Sequence, residues 1–205
     1  MTSHSLQDSF GGIDIYLFDQ LLKGRLVPGM RLLDAGCGSG RNLNYFLQRG
    51  FDVCSVDQSA ESIAQVRALA ASLAPNLPTN NFRVEPVEKL SFSHADFDVV
   101  ISSAVLHFAL DEEHWLRMVR EMWRVLKPGG MFFARLASTI GIEHQVEHLT
   151  GRRYRLPDGT VRFLVDESML MTTTEDLGGR WLEPLKTVLV QNLRSMSNWI
   201  LLKQH

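Results

Sequence analysis

The chain has 205 residues, 45% hydrophobic and 21% charged, an ordinary globular composition whose length favours one domain. Its formal net charge of −2 argues against a general nucleic-acid binder, which carries a basic surplus. No apolar run approaches the ~20 residues of a membrane span, and the polar start Met1–Ser9 lacks the apolar core of a secretory signal. The two cysteines, Cys37 and Cys54, fall in a glycine loop and an apolar strand run rather than in a disulfide framework, so a reducing compartment is expected, the cytoplasm by default.

In chain order, Ile13, Leu17, Leu21 and Leu22 lie at helical spacing, and Pro28-Gly29 stops that pattern. Met30–Ala35 reads as a short buried strand, followed by the glycine loop Gly36–Gly40. A helical pattern through Leu43, Phe46 and Leu47 ends at Gly50. A second strand over Val53–Val56 ends at Asp57, and Ser59 is a good N-cap for the Ala-rich stretch Ala60–Leu73. Phe82–Val84 and Phe97–Ile101 are the third and fourth strands. Asp111–Leu126 reads as an amphipathic helix with Trp115, Met118, Val119, Met122 and Trp123 facing inward. Lys127-Pro128-Gly129-Gly130 ends it, and Met131–Leu136 is a fifth strand. Thr139–Leu164 is polar and gives no regular pattern. Asp166–Leu177 is helical, and Leu185–Val190 with Met196–Lys203 forms a hairpin through Asn192-Leu193-Arg194. Strands alternating with helices predict an α/β fold, a parallel sheet with helices on both faces. The expected division is an N-terminal cover over 1–29, a core over 30–138, an insert over 139–165, and a C-terminal helix and hairpin over 166–205.

The most informative stretch is Leu32-Leu33-Asp34-Ala35-Gly36-Cys37-Gly38-Ser39-Gly40-Arg41-Asn42. Gly36 and Gly38 let backbone approach a ligand closely. Asp57 ends the next strand, about 20 residues on, where a carboxylate can take hydrogen bonds from both ribose hydroxyls. A dinucleotide fingerprint needs a third glycine where this chain has Arg41, whose bulk would obstruct the helix–strand packing, and Asp34 beside the loop suits a cationic ligand better than a pyrophosphate.

This string resembles motif I of the class I S-adenosylmethionine-dependent methyltransferases. The resemblance continues through Val56-Asp57-Gln58-Ser59, Phe97–Ser102, Val105-Leu106-His107 and Arg124–Gly130, and covers about Met30–Leu136. The Gly40-Arg41-Asn42 ending is similar to a small-molecule branch that includes tellurite-resistance-type enzymes. The resemblance implies a Rossmann-like, doubly wound, mostly parallel sheet in a three-layer sandwich with a C-terminal antiparallel strand. It also implies S-adenosylmethionine as cofactor and a small-molecule acceptor. From charge and hydropathy no nucleic acid and no membrane are expected as partners, and a monomer or homodimer is expected. Backbone of Gly36, Cys37 and Gly38 would meet the methionine part, and Asp34 would orient the loop and reach the ammonium. Asp57 would hold the ribose with Gln58 flanking the adenine, the turn at Val87 and Glu88 would donate to the adenine, and Ser102 would offer its carbonyl to the ammonium. Pro86 replaces the Asp or Asn of many relatives, so Glu85 or Glu88 is left to accept from the adenine amine.

His107, just after the fourth strand, is the candidate general base, since a histidine can take a proton near neutral pH. It can equally be a hydrogen-bonded wall residue, and position alone favours the wall. His144 and His148 would share a helical face, but the third ligand of a zinc site is missing and no metal is expected. Arg152, Arg153 and Arg155 could pair with an anionic acceptor or lie in a surface turn. Tyr16 and Phe18 lie on the first helix, Phe18 at a core position. A non-catalytic S-adenosylmethionine-binding subunit is the alternative function, because the loop and Asp57 serve it as well. The insert Thr139–Leu164 is expected to cover the pocket and contribute Arg or His side chains to the acceptor.

Overall fold

The computed structural model describes residues 5–204, so Met1–His4 of the polar start lie outside the described residues. Helix α1 (Leu6–Phe10) opens on a capping box in which Ser5 and Asp8 satisfy each other's backbone N–H groups. Helix α2 (Ile15–Leu22) is shorter than the apolar spacing predicts, because Asp14 caps it and Lys23-Gly24 ends it. Strand β1 (Arg31–Ala35) leads through the glycine loop to α3 (Asn44–Gln48) and then β2 (Asp52–Asp57). Helix α4 (Ala60–Leu73) starts at Ser59, whose hydroxyl accepts from Ser62 N–H at 3.2 Å. Strands β3 (Phe82–Val84) and β4 (Phe97–Ser103) precede α5 (Glu112–Val125), where Asp111 accepts from His114 N–H at 2.7 Å.

Strand β5 (Leu126–Ala137) begins earlier than the proline and glycines imply. Leu126 already pairs with Phe97, and the register shifts before Val99 pairs with Met131, so Pro128-Gly129-Gly130 forms an irregularity within the strand. The segment without a sequence pattern folds as a separate antiparallel sheet of β6 (Glu147–Thr150), β7 (Arg153–Arg155) and β8 (Val161–Phe163). Its signal was present in Pro157-Asp158-Gly159, a turn sequence between two short alternating runs. Helix α6 (Glu167–Asp176), capped by Asp166, and strands β9 (Gly179–Trp181), β10 (Lys186–Val190) and β11 (Arg194–Lys203) complete the order.

The main sheet runs β10-β11-β5-β4-β1-β2-β3, with β9 also on β11. β1 to β5 are parallel, and β11 enters antiparallel beside β5, so the expected mostly parallel sheet with a C-terminal antiparallel strand is observed. Period-two alternation fills both faces: Leu32, Val53, Val99 and Phe133 pack with α2, α3 and α4, while Leu33, Cys54, Val100 and Phe132 pack with α5 and α6. The pattern makes three layers. It leaves the carboxyl ends of β1, β2 and β4 as the open edge where a ligand can enter. A third, smaller cluster of Ala137, Ile142, Leu156, Leu164 and Met196 lies under the small sheet. Among the described residues no helix is long and apolar enough to cross a membrane.

Lys203 closes the C-terminal end of α5. That helix runs straight into β5 with no capping glycine, and Lys203 Nζ donates to the carbonyls of Trp123 at 2.6 Å and Leu126 at 2.8 Å. Replacing it by methionine leaves buried carbonyls without a donor, and Lys203→Met should cost about 1–3 kcal/mol in urea unfolding. An unchanged midpoint would show that water satisfies those carbonyls instead.

Candidate functional site

The glycine loop is pinned to the neighbouring strand. Gly36 and Cys37 N–H both donate to the Val56 carbonyl, at 2.8 and 3.0 Å, and Gly38 N–H donates to Asp57 Oδ2 at 2.9 Å. Gly36 has a φ of 80°, and a Cβ there would meet Val105 Cγ2 at 2.5 Å, so only glycine fits. Gly38 has a φ of 52° and no protein atom within 4 Å of where its Cβ would be. Three of the loop's N–H groups are thus engaged within the protein, and the helix that follows, α3, is only five residues long. The loop offers a close backbone surface.

A cavity of about 480 Å³ opens on this loop. Gly36, Cys37, Gly38, Asp57 and Gln58 line one side, and Pro86, Val87 and Glu88 line another. Asp57 is oriented at both oxygens, since Oδ1 also accepts from Ser59 N–H at 2.8 Å. Asp34 lies beneath the loop rather than in the wall. It is buried, and its Oδ2 has no hydrogen-bond partner. Burial pushes its carboxyl up to about 7, against the opposing pull of Arg41 and a hydrogen bond from Asn42. Ser102 is wholly buried, and it is the next two residues, Ser103 and Ala104, that line the cavity. β4 runs two residues beyond the expected end, which carries the chain's opening to Ser103. Ala104 holds a φ of 66°, rare for a residue with a Cβ, and its N–H donates to Arg135 O at 2.7 Å. Burial pushes the Cys37 thiol far up and the Cys54 thiol up to about 12, so neither is a nucleophile at neutral pH.

Two groups in this region escaped the sequence analysis. His114, at the start of α5, lines the cavity; its Nδ1 accepts from Leu110 N–H at 3.1 Å, which leaves the proton on Nε2, 3.4 Å from Glu88 without hydrogen-bond geometry. Asp14, the cap of α2, is the other. Its buried carboxylate accepts from Arg135 Nη1 at 2.8 Å and lies 3.7 Å from Arg41 Nη2, which itself donates to Ser103 Oγ at 2.8 Å. Asn42 Oδ1 in turn accepts Asp14 N–H at 3.0 Å. The N-terminal segment is thereby tied to the loop and to β5. Nothing local in the sequence marks this, beyond an aspartate before a helix.

His107 does not line the 480 Å³ cavity. It sits on a short turn after β4 and faces an adjoining cavity, with its Nδ1 buried and unpartnered. Burial, reinforced by Arg162 and Arg194, lowers its pKa to about 4. His148 lies on strand β6 and not on a helix, with its Nε2 2.8 Å from Gly151 O. Arg152 pairs with Asp166, Arg153 donates to Ala109 O, and Arg155 pairs with Glu147 on the surface, so this run is engaged outside the cavities. Phe18 packs edge-on to Phe10, and Tyr16 lies under the Arg135 guanidinium.

This arrangement, a glycine loop and an acid at adjacent strand ends of a mostly parallel sheet closed by an antiparallel strand, defines a nucleoside-binding α/β protein. The chain matches the methyltransferase domain family over residues 33–134. It is 31% identical over 110 residues to a ubiquinone biosynthesis O-methyltransferase of Methylocella silvestris, a stretch covering 54% of this chain and 41% of that protein. The aligned stretch thus spans under half the length of such curated relatives. The fold is similar to that of the PH0226 protein from Pyrococcus horikoshii OT3, with a TM-score of 0.73 at 19% identity, covering 97% of this chain and 96% of that one. It is also similar to the 1,6-didemethyltoxoflavin-N1-methyltransferase of Burkholderia thailandensis, with a TM-score of 0.70 at 20% identity, covering 92% and 76%.

The lowered pKa of His107 has a consequence for acid stability. Above its ordinary value of 6.5 the ring is neutral folded or unfolded. As pH falls from there towards about 4, the unfolded chain takes up a proton that the folded chain refuses, so stability is lost across that window. The full effect is on the order of 3 kcal/mol. Asp34, with a raised pKa, slopes the other way as pH falls from about 7. The difference between wild type and His107→Gln therefore isolates the histidine: the variant should lose less stability than wild type between pH 6.5 and 4 in urea unfolding. Parallel curves would place His107 in a solvated setting.

Proposed function

We propose that the chain is an S-adenosylmethionine-dependent methyltransferase that passes a methyl group to a small-molecule acceptor. The observation that carries this is the Asp57 carboxylate, fixed by Gly38 and Ser59 N–H groups at the glycine loop, with a buried Asp34 oxygen without a partner beneath that loop. Two acids at the loop disfavour a pyrophosphate by charge and suit a ligand with ribose hydroxyls and an ammonium. Asp57 would accept from the ribose hydroxyls, and Gln58, Val87 and Glu88 would bracket the adenine. Gly36, Cys37 and Gly38 would supply the surface for the methionine chain, with Asp34 orienting the loop from below. The contact with the ammonium at the end of β4, expected from the Ser102 carbonyl, is taken here to come from Ser103 or Ala104, which reach the cavity. When bound, the cofactor supplies a methyl group activated by its sulfonium for in-line displacement. The protein's work is then to align the acceptor and keep water away. The segment over 139–165 is proposed as part of the acceptor enclosure, since Leu156, Asp158, Thr160 and Arg162 line the adjoining cavity. Buried free thiols at Cys37 and Cys54 fit a reducing compartment, and we place the protein in the cytoplasm.

Calorimetry tests this directly. The chain should bind S-adenosylmethionine and S-adenosylhomocysteine in roughly the micromolar range and should not bind NAD. Asp57→Ala should weaken both by about 1.5–3 kcal/mol, the scale of hydrogen bonds to a charged group. Tight NAD binding with no response to either sulfur ligand would overturn the reading. S-adenosylhomocysteine formation across an acceptor panel separates an enzyme from a binding subunit, and size-exclusion of the same sample separates monomer from homodimer.

A further inference from the structure

A second cavity of about 290 Å³ adjoins the first, with Arg41 and Ala104 lining both. Its wall brings together residues far apart in sequence: Arg135 from β5, Arg162 from β8, Arg194 from the start of β11, and His107. Ala137, Leu156 and Met196 supply an apolar side.

The charges do not balance. Arg135 and Arg41 share the single buried carboxylate of Asp14. Among the described residues Arg162 has no carboxylate within ion-pair distance; its Nη1 donates to Val161 O at 2.8 Å, and its guanidinium lies 4.9 Å from the Phe108 ring centre. Arg194 has neither an ion pair nor a side-chain hydrogen bond among the described residues. The carboxylate in the wall is Asp158; its Oδ1 accepts from Thr160 N–H and Oγ1, at 2.9 and 2.6 Å, and those bonds, with the weaker pull of Arg162 and Arg194 nearby, hold its carboxyl below the usual range, so one carboxylate is shared by both arginines without a direct ion pair. Four guanidiniums therefore face two carboxylates. His107 adds no negative charge and is held neutral by its surroundings. The residue is 9% exposed, and its Nδ1 has no hydrogen-bond partner among the described residues. Guanidiniums held together around a concave, partly apolar space repel one another unless an anion joins them, and their planar donor fork matches carboxylate and phosphate oxygens.

We infer that this second cavity is the acceptor subsite and takes an acceptor bearing a carboxylate or phosphate group, with Arg162 and Arg194 as the ligands of that group. The word acceptor rests on the methyltransferase reading above; the anion does not. Arg152, Arg153 and Arg155, which the sequence offered for this task, are excluded by the partners they already have.

The test uses the full chain, with and without saturating S-adenosylhomocysteine, titrated with inorganic phosphate and with benzoate. Heat and the NMR signals of the His107 ring are followed. At least one anion should bind saturably and shift those signals; a response to phosphate alone assigns a phosphorylated acceptor, and to benzoate alone a carboxylate. Replacing both Arg162→Gln and Arg194→Gln should weaken that anion by about tenfold or more. S-adenosylhomocysteine affinity should stay within about twofold, which also certifies the fold, and Arg117→Gln on the exposed face of α5 should change nothing. Silence of the His107 ring with both anions, or an undiminished affinity in the double variant, would overturn the inference. Anion binding without S-adenosylhomocysteine binding would instead uphold the anion site and remove the methyltransferase reading.

Discussion

The glycine loop is held against the end of β2 by three backbone donors, Gly36 and Cys37 to the Val56 carbonyl and Gly38 to the Asp57 carboxylate. The arrangement of the site follows from this pinning. It brings the loop and the acid within one hydrogen bond of each other, so the glycine loop and Asp57 act as one unit. It also demands glycine at position 36, because the loop passes so close to Val105 that no side chain fits. The parallel register of β1 with β2, and of β1 with β4, is what sets these groups at one edge.

Asp14 fixes a second unit above the first. Burying a carboxylate is costly unless it is paired and hydrogen-bonded, and Asp14 meets both conditions through Arg135, Arg41, Ser103 and the Tyr16 N–H. The same contacts join the N-terminal helix, the loop, the end of β4 and β5. They also hold Arg41 at the boundary between the two cavities. The N-terminal segment and the two cavities therefore share one electrostatic junction, and a change at Asp14 would be felt in all three.

The small sheet of β6, β7 and β8 has a different character. It has little core of its own, it stands on the cluster around Ala137 and Met196, and it delivers Arg162 to a cavity whose floor belongs to the main sheet. A fixed scaffold with a variable addition over its open edge is the usual way one fold serves many small molecules. The addition here carries positive charge inward through Arg162, while Arg152 pairs with Asp166, Arg155 with Glu147, and Arg153 donates to Ala109 O.

What the sequence determined by itself was local. Ser59, Asp111 and Asp166 cap their helices through bonds spanning three residues, and the alternation along β1, β2, β4 and β5 sorts side chains to two faces without reference to anything distant. The glycine loop and Asp57 were legible because both mark strand ends, and a strand end in such a sheet has a known place. Tertiary structure decided the rest. Asp14 meets Arg135 across 121 residues, His107 faces the second cavity because its turn rotates it away from the first, and Arg162 and Arg194 converge only because two sheets stack. No periodicity or spacing encodes such meetings. They depend on how finished elements pack, and each arginine taken alone in the sequence looks like any other surface charge.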